Sequence, residues 1–308
     1  MEMADPLSLF ISHLKPKCEV FSHVKLKAPW GIEEQQQSSC CFSFIKKGQC
    51  VVELSSGEAV QLSAGQLLLL PYGSAHKIMS ESAVACQSIE QLFLGKPRAD
   101  IENMVIGGQG ESCSVMCGSF TFLPLQYRPC TQLGGALPEI LVIEVPASSK
   151  LEVIVSCLYE ENKCSTPGGH LARTRWLELL LIEVLRGLDA KVFDLGWLTA
   201  LQDRFLASVM LAIQSNLNKD WSVEELAKVA ALSKSSLTNR FKRTTGLPPL
   251  IFLRQWRCLV AANLLISSND PLKLIAASCG FQSDDVLIRN FRQFHHMTPI
   301  QYRKTHKK

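Results

Sequence analysis

The sequence predicts an α+β chain, with a strand-rich N-terminal part that forms a small barrel followed by helices, and an all-α C-terminal third. Three observations carry this reading. Short strand-type runs separated by glycines fill residues 41–78. A tripartite helical pattern in the last hundred residues returns after about 50 residues. Charge is also divided unevenly: Leu201–Lys308 holds 16 Lys/Arg against 7 Asp/Glu, whereas the first 200 residues hold 16 against 21. A basic third joined to a mildly acidic remainder is the electrostatic footprint of a polyanion-binding module attached to one that does not bind polyanions. At 308 residues two domains are expected. The division falls at residues 1–190, a linker over 191–200 in the Gly- and Asp-rich stretch RGLDAKVFDLG, and residues 201–308.

The N-terminus, MEMADPLSLF, lacks the basic segment and apolar run of a signal peptide. No uncharged apolar stretch reaches the roughly 18 residues of a membrane span. A cytoplasmic protein with no membrane partner is therefore expected, and its twelve cysteines are read as reduced thiols. No CxxC pair or zinc-finger spacing occurs, so neither a structural metal nor a cofactor is expected.

Along the N-terminal part, FSFIKKG-QCVVELSSGEAVQLSAGQLLLLPYGSAHKI reads as strand, Gly turn, strand, Gly57 turn, strand, Gly65 turn and a buried strand ending at Pro71. Cys50, Val52 and Leu54 alternate with Val51 and Glu53, the period of a half-buried strand. Closely spaced strands of this kind build a small barrel or jelly roll. Further on, RTRWLELLLIEVLRGL carries Trp176, Leu179, Leu180 and Val184 on one side and Leu177, Leu181 and Leu188 on another. A helix so widely apolar needs partners on two sides.

In the C-terminal part, Arg204–Leu217 has helical spacing at Phe205, Val209, Ala212 and Ile213. Ser222 followed by Glu225 is a capping-box start, and Leu226, Val229 and Ala230 form the buried stripe of the helix it opens. After a turn at Leu232-Ser233, KSSLTNRFKR anchors on Leu237 and Phe241. Its outer face presents Lys234, Ser235, Thr238, Asn239 and Lys242. A short helix with a narrow apolar anchor and a polar, basic outer face suits a reader of the DNA major groove.

Leu226-Ala227 matches Ile275-Ala276 at an offset of 49, and Leu237, Phe241 and Pro249 match Leu287, Phe291 and Pro299 at 50. Such a repeat is not produced by periodicity or charge alone. Between the copies, LIFLRQWRCLVAANLLIS reads as one helix with Trp256 in its core stripe, roughly 25 Å long. Major-groove faces recur about every 34 Å, so one chain is expected to offer helices to two successive grooves.

The ending CGFQSDDVLIRNFRQFHHMTPIQYRK, with its TP-x-x-YR tail, resembles the AraC/XylS family of transcription regulators. The strand region, VMCGSFTF, GGALPEILVI, STPGGHLARTRWLELLLIEVLRGL and the Trp256-Arg257 pair resemble the subfamily with an N-terminal cupin-type sensor domain. The resemblance covers about Pro29 to Arg303. It implies base contacts at Ser235, Thr238 and Asn239 in the first unit and at Asp284, Asp285, Val286 and Arg289 in the second. Lys234, Lys242, Arg292, Arg303 and Lys304 would position phosphates. Two departures stand out: His296 occupies a position where the family usually has Gly, and Asp284-Asp285 open the second reading helix. Those aspartates suit a helix N-terminus but face a polyanion badly, unless one accepts from cytosine.

The partners this implies are double-stranded DNA, a second copy of the chain, a small-molecule effector of unknown identity and RNA polymerase, with activation favoured over repression. A cupin also raises the metalloenzyme class, but only His76 lies in the strand core, and Ser43 stands where the subfamily commonly has a His. One His cannot make a three-ligand site. The sensor candidates are therefore His76, Cys113 and Cys117. They leave two readings open: a small molecule entering the barrel, or oxidation of a thiol. A non-specific DNA binder is the remaining alternative.

Overall fold

The computed structural model describes residues 5–14, 17–37, 39–96, 101, 104–121, 138–163, 167–188 and 196–307. They group into two compact units. The sandwich unit spans Pro16–Thr121 and Pro138–Leu188; the helical unit takes in Met1–Lys15 and Asp189–Lys308.

The sandwich unit has eleven described strands: β1 (Lys17–Lys27), β2 (Gly31–Glu34), β3 (Cys40–Lys47), β4 (Gln49–Leu54), β5 (Ala59–Ser63), β6 (Gln66–Leu70), β7 (His76–Met79), β8 (Gln87–Ser88), β9 (Val105–Gly107), β10 (Ser112–Thr121) and β11 (Leu141–Glu144). They form a six-stranded sheet ordered β11-β6-β3-β10-β1-β9 and a five-stranded sheet ordered β5-β4-β7-β2-β8. The expected barrel is thus two sheets closed over a shared core rather than one continuous ring. Alternation along β4 buries Cys50, Val52 and Leu54. They meet Val24, Ile45, Leu68 and Val115 from the other sheet. Gly48 turns β3 into β4 at φ +82°, where a side chain would come within 2.5 Å of the Ser112 carbonyl oxygen.

A short helix, α2 (Ile89–Phe93), follows β8. Two longer ones, α3 (Lys150–Lys163) and α4 (Gly169–Gly187), pack on each other and on β1. In α4 the buried residues include Leu177, Leu180, Leu181, Val184 and Leu185, while Leu171 and Leu179 remain exposed.

The helical unit begins with α1 (Pro6–Leu14), which sequence division grouped with residues 1–190. Phe10 instead stacks on Trp197 at 4.1 Å and on Trp256 at 5.2 Å between ring centroids, and Asn263 donates to the His13 carbonyl at 2.6 Å. Residues 191–195 of the expected linker lie outside the described residues. Residues 196–200 are not linker: they open α5 (Gly196–Gln202), with Trp197, Leu198 and Ala200 buried. Their buried side chains belong to the helical unit, which a reading of Gly and Asp content misses.

Next come α6 (Leu206–Ser215), α7 (Val223–Val229), α8 (Lys234–Thr245), α9 (Pro249–Ser267), α10 (Leu272–Ser278), α11 (Asp284–His295) and α12 (Pro299–His306). α9 is the central member, with Phe252, Trp256, Ala261 and Leu265 fully buried. By length and apolar content it is the one described helix that qualifies as a membrane span; its burial identifies it as a core helix.

Candidate nucleic-acid interface and sandwich cavity

Each helix-turn-helix copy is set by its caps. Ser222 accepts from the Glu225 amide at 3.2 Å while Glu225 accepts from the Ser222 amide at 2.9 Å, the reciprocal start of α7 that the sequence predicts. The reading helices α8 and α11 both start on a serine: Ser233 accepts from the Ser236 amide and Ser283 from the Val286 amide. The turns before them hold Ala231 at φ 51° and Gly280 at φ 77°, equivalent positions at the offset of 49. Gln282 is the extra residue that moves the offset to 50. The helices end on Gly246 at φ 76° and His296 at φ 55°, again equivalent.

On α8 the anchors Leu237 and Phe241 are fully buried, and Ser235, Asn239 and Lys242 are exposed. Lys234 pairs with Glu224 of α7. Thr238 is half-buried, its hydroxyl donating to the Lys234 carbonyl at 2.8 Å. On α11 Leu287 and Phe291 are the anchors, and Asp285, Arg289 and Arg292 are exposed. Asp284 and Val286 are half-buried in the first turn. The eight interface candidates therefore fall on two helices with matching caps and anchors, and none of the eight is buried.

Arg303 departs from its expected phosphate role. Its guanidinium donates to the Leu265 carbonyl at 3.0 Å and the Asp270 carbonyl at 2.7 Å, tying α12 to the end of α9. Lys304 beside it is exposed. Arg257 makes the same clamp in the first copy, donating to Leu217 at 2.9 Å and Lys219 at 2.6 Å. The two arginines are 46 residues apart. The four-residue difference from the repeat is about one helical turn, so both stay on the same face. The family resemblance placed Arg303 on phosphate; in the structure carbonyls at and just beyond the end of α9 hold its guanidinium.

Two structural roles went unnoticed in the sequence. Arg240 donates to Asp203 at 2.9 Å, and Asp203 in turn accepts from the amides of Phe205 and Leu206 to start α6. His295 is the last residue of α11, buried against Phe291 and Tyr302 with ring centroids 4.2 and 5.3 Å away. Burial pulls its pKa down to about 4, so it is neutral at pH 7.

The sandwich unit contains a cavity of about 370 Å³ lined by Glu34, Cys41, Phe42, Leu68, His76, Phe93 and Cys117, among others. Two of the three sensor candidates thus line one space. His76 donates from Nδ1 to the Ser74 carbonyl at 3.0 Å, and its Nε2 lies 3.9 Å from Glu34 Oε2. Burial lowers the His76 pKa and raises that of Glu34. Cys117 Sγ sits 3.5 Å from the Ser43 hydroxyl, and burial pushes its thiol up to about 12. Cys113, the third candidate, is not at the cavity: it is buried in the core and hydrogen-bonded to Cys50 of the opposite sheet, which holds Cys113 below and Cys50 above the ordinary thiol range. Glu34 and the α2 residues went unpredicted, since no motif marks them. Among the described residues no group of three or more His, Cys, Asp or Glu is placed to hold a metal ion.

A two-sheet domain joined to paired helix-turn-helix units defines a DNA-binding transcription regulator. The chain matches the cupin family model over residues 5–188 and the helix-turn-helix domain model over residues 226–305. It belongs to the AraC/XylS family, in the subfamily with an N-terminal cupin-type domain. A putative AraC-like transcription regulator of Streptomyces antibioticus is 28% identical, with 97% of this chain and 98% of that protein covered. The RCS-specific HTH-type transcriptional activator RclR of Escherichia coli (strain K12) is 24% identical, over 84% and 82% respectively. Among solved structures, apo ToxT K231A from Vibrio cholerae strain SCE256 is 13% identical with a TM-score of 0.39, covering 95% of this chain and 98% of that one.

Proposed function

We propose that the chain is a sequence-specific activator of transcription, acting in the cytoplasm, whose α8 and α11 enter successive major grooves of one DNA site under control of a small molecule held in the sandwich cavity. The observation that carries the DNA part is the duplicated reading helix: the same serine cap, the same Leu/Phe anchor and an exposed polar face, twice. In α8, Ser235, Thr238 and Asn239 face base edges, while Lys234 and Lys242 hold phosphates, Lys234 exchanging Glu224 for the backbone. In α11, Arg289 reads a base and Arg292 a phosphate. Asp285 biases its position against guanine-rich contacts. The exposed Leu171 and Leu179 on α4 support a homodimer, and the activating sense follows the family and the printed name of the Escherichia coli relative.

The cavity supports small-molecule control over oxidation of Cys117, and Cys113, though held below the ordinary thiol range, is buried in the core. A thiol raised to about 12 is almost wholly protonated at pH 7, and the thiolate is the reactive form. Footprinting the full chain against a large excess of competitor DNA tests the reading. A protected segment spanning two adjacent grooves is expected; protection that spreads evenly with no preferred site would replace it with non-specific binding.

A further inference from the structure

Resting on the reading of the sandwich cavity as the effector site, we infer that its ligand is a small organic amine: a protonated nitrogen on an apolar body. The Ser74 carbonyl can only accept, so the bond at 3.0 Å fixes the proton of neutral His76 on Nδ1. Nε2 is then a bare lone pair, and it faces the carboxylate oxygen of Glu34 at 3.9 Å. Two acceptors converge at a spacing too long for a hydrogen bond between them, and a donor placed between them satisfies both. An ammonium supplies several donors and also neutralises the carboxylate, which burial otherwise leaves poorly solvated.

The rest of the lining agrees. Its other charged residue is Glu90, and no Lys or Arg lines the space among the described residues. A carboxylate or phosphate ligand would therefore meet two acidic groups and, among the described residues, no cationic partner. Phe42, Leu68, Leu70, Ile89 and Phe93 provide an apolar wall for the body of the molecule. The volume of about 370 Å³ is at the lower end of ordinary ligand sites, which limits the body to a single ring or a short chain.

Three probes on one scaffold test the assignment: 4-phenylbutylamine, 4-phenylbutanol and 4-phenylbutyrate, titrated by calorimetry into the full chain. The amine is expected to bind ahead of the other two. The near-isosteric Glu34→Gln should weaken the amine by about tenfold to hundredfold, and the alcohol by less than about threefold. Tighter binding of the carboxylate or the alcohol, or an amine affinity unchanged in Glu34→Gln, overturns the amine class. If that binding is lost in Ile89→Trp, which narrows the cavity from α2, the cavity remains the ligand site. Binding that persists in Ile89→Trp, or no binding by any probe, overturns the cavity reading together with the ligand class. Ile89→Phe repeats the block with a smaller side chain should the tryptophan variant melt early.

Discussion

In the first helix-turn-helix copy the turn position is Ala231 and the helix end Gly246; in the second the turn is Gly280 and the end His296. Each copy has one glycine where the backbone is left-handed and one residue that tolerates the same conformation with strain, but at opposite ends of the reading helix. Gly280 has a reason to be glycine, since a side chain there would come within 2.5 Å of the Leu217 carbonyl oxygen. Ala231 is exposed. The difference teaches that the copies share a scaffold of caps, anchors and arginine clamps, and diverge where one copy packs closely on its neighbours. Thr245 and His295 make the same point. They are equivalent in the repeat, yet Thr245 returns its hydroxyl to the Phe241 carbonyl at 2.9 Å while His295 fills an aromatic stack.

Four experiments bear on that comparison. If the clamps are equivalent, Arg257→Ala and Arg303→Ala should both destabilise the helical unit. Each would leave two carbonyls without a partner, at about 3 kcal/mol for the buried Arg257 and about 2 kcal/mol for the half-buried Arg303. Urea midpoints measure this, and a near-neutral Arg303→Ala would break the parallel.

The second copy alone should be acid-sensitive through its buried helix-end residue. His295 has a folded-state pKa below its unfolded value of about 6.5, so its contribution is full above that pH and is lost as pH falls towards about 4. The loss is about 1.4 kcal/mol at pH 5.5 and roughly 3 kcal/mol in all. Thermal melts of the wild type and His295→Thr at pH 7 and pH 5.5 should converge on acidification; an unchanged gap would remove His295 as the cause.

On DNA, Arg289→Ala should cost about 1–3 kcal/mol and relax specificity at one base position, whereas Lys242→Ala should weaken all sequences alike and lower the salt slope by about one. Gel-shift titrations at several salt concentrations separate the two. An Arg289→Ala effect spread over all sequences would make α11 a positioning helix only. The smallest effect is expected at the helix end, where His296→Gly relieves a left-handed residue and raises stability by about 1 kcal/mol, visible as a higher urea midpoint.

Much of the helical unit was legible because its information is local. The Ser222/Glu225 cap, the Leu/Phe anchors and the turn insertion are all written within a dozen residues and then repeated. The strands from Cys40 to Met79 were legible for the same reason, through alternation and glycine turns. What could not be read was pairing over distance. Nothing in PLSLFISHL names Trp197 or Trp256 as its partner, and nothing in GIEE marks Glu34 as facing His76. Cys113 and Cys117 lie four residues apart on β10, yet only Cys117 lines the cavity; which residues sit under a void depends on the opposite sheet and on α2. Arg303 shows the reverse error, a familiar motif residue given an outward role that neighbouring carbonyls had already taken.

The seating of Phe10 against Trp197 and Trp256 also fixes an order of events during synthesis. Domains fold as units while the chain emerges, the N-terminal one first. Here α1, which precedes the sandwich, belongs to the unit finished after it, because Asn263, which holds the His13 carbonyl, is added 250 residues later. α1 must stay undocked on the ribosome while the sandwich between it and α9 is made. The helical unit is completed only when α1 and α9 are both present, so its assembly doubles as a check that the chain was translated through to α9.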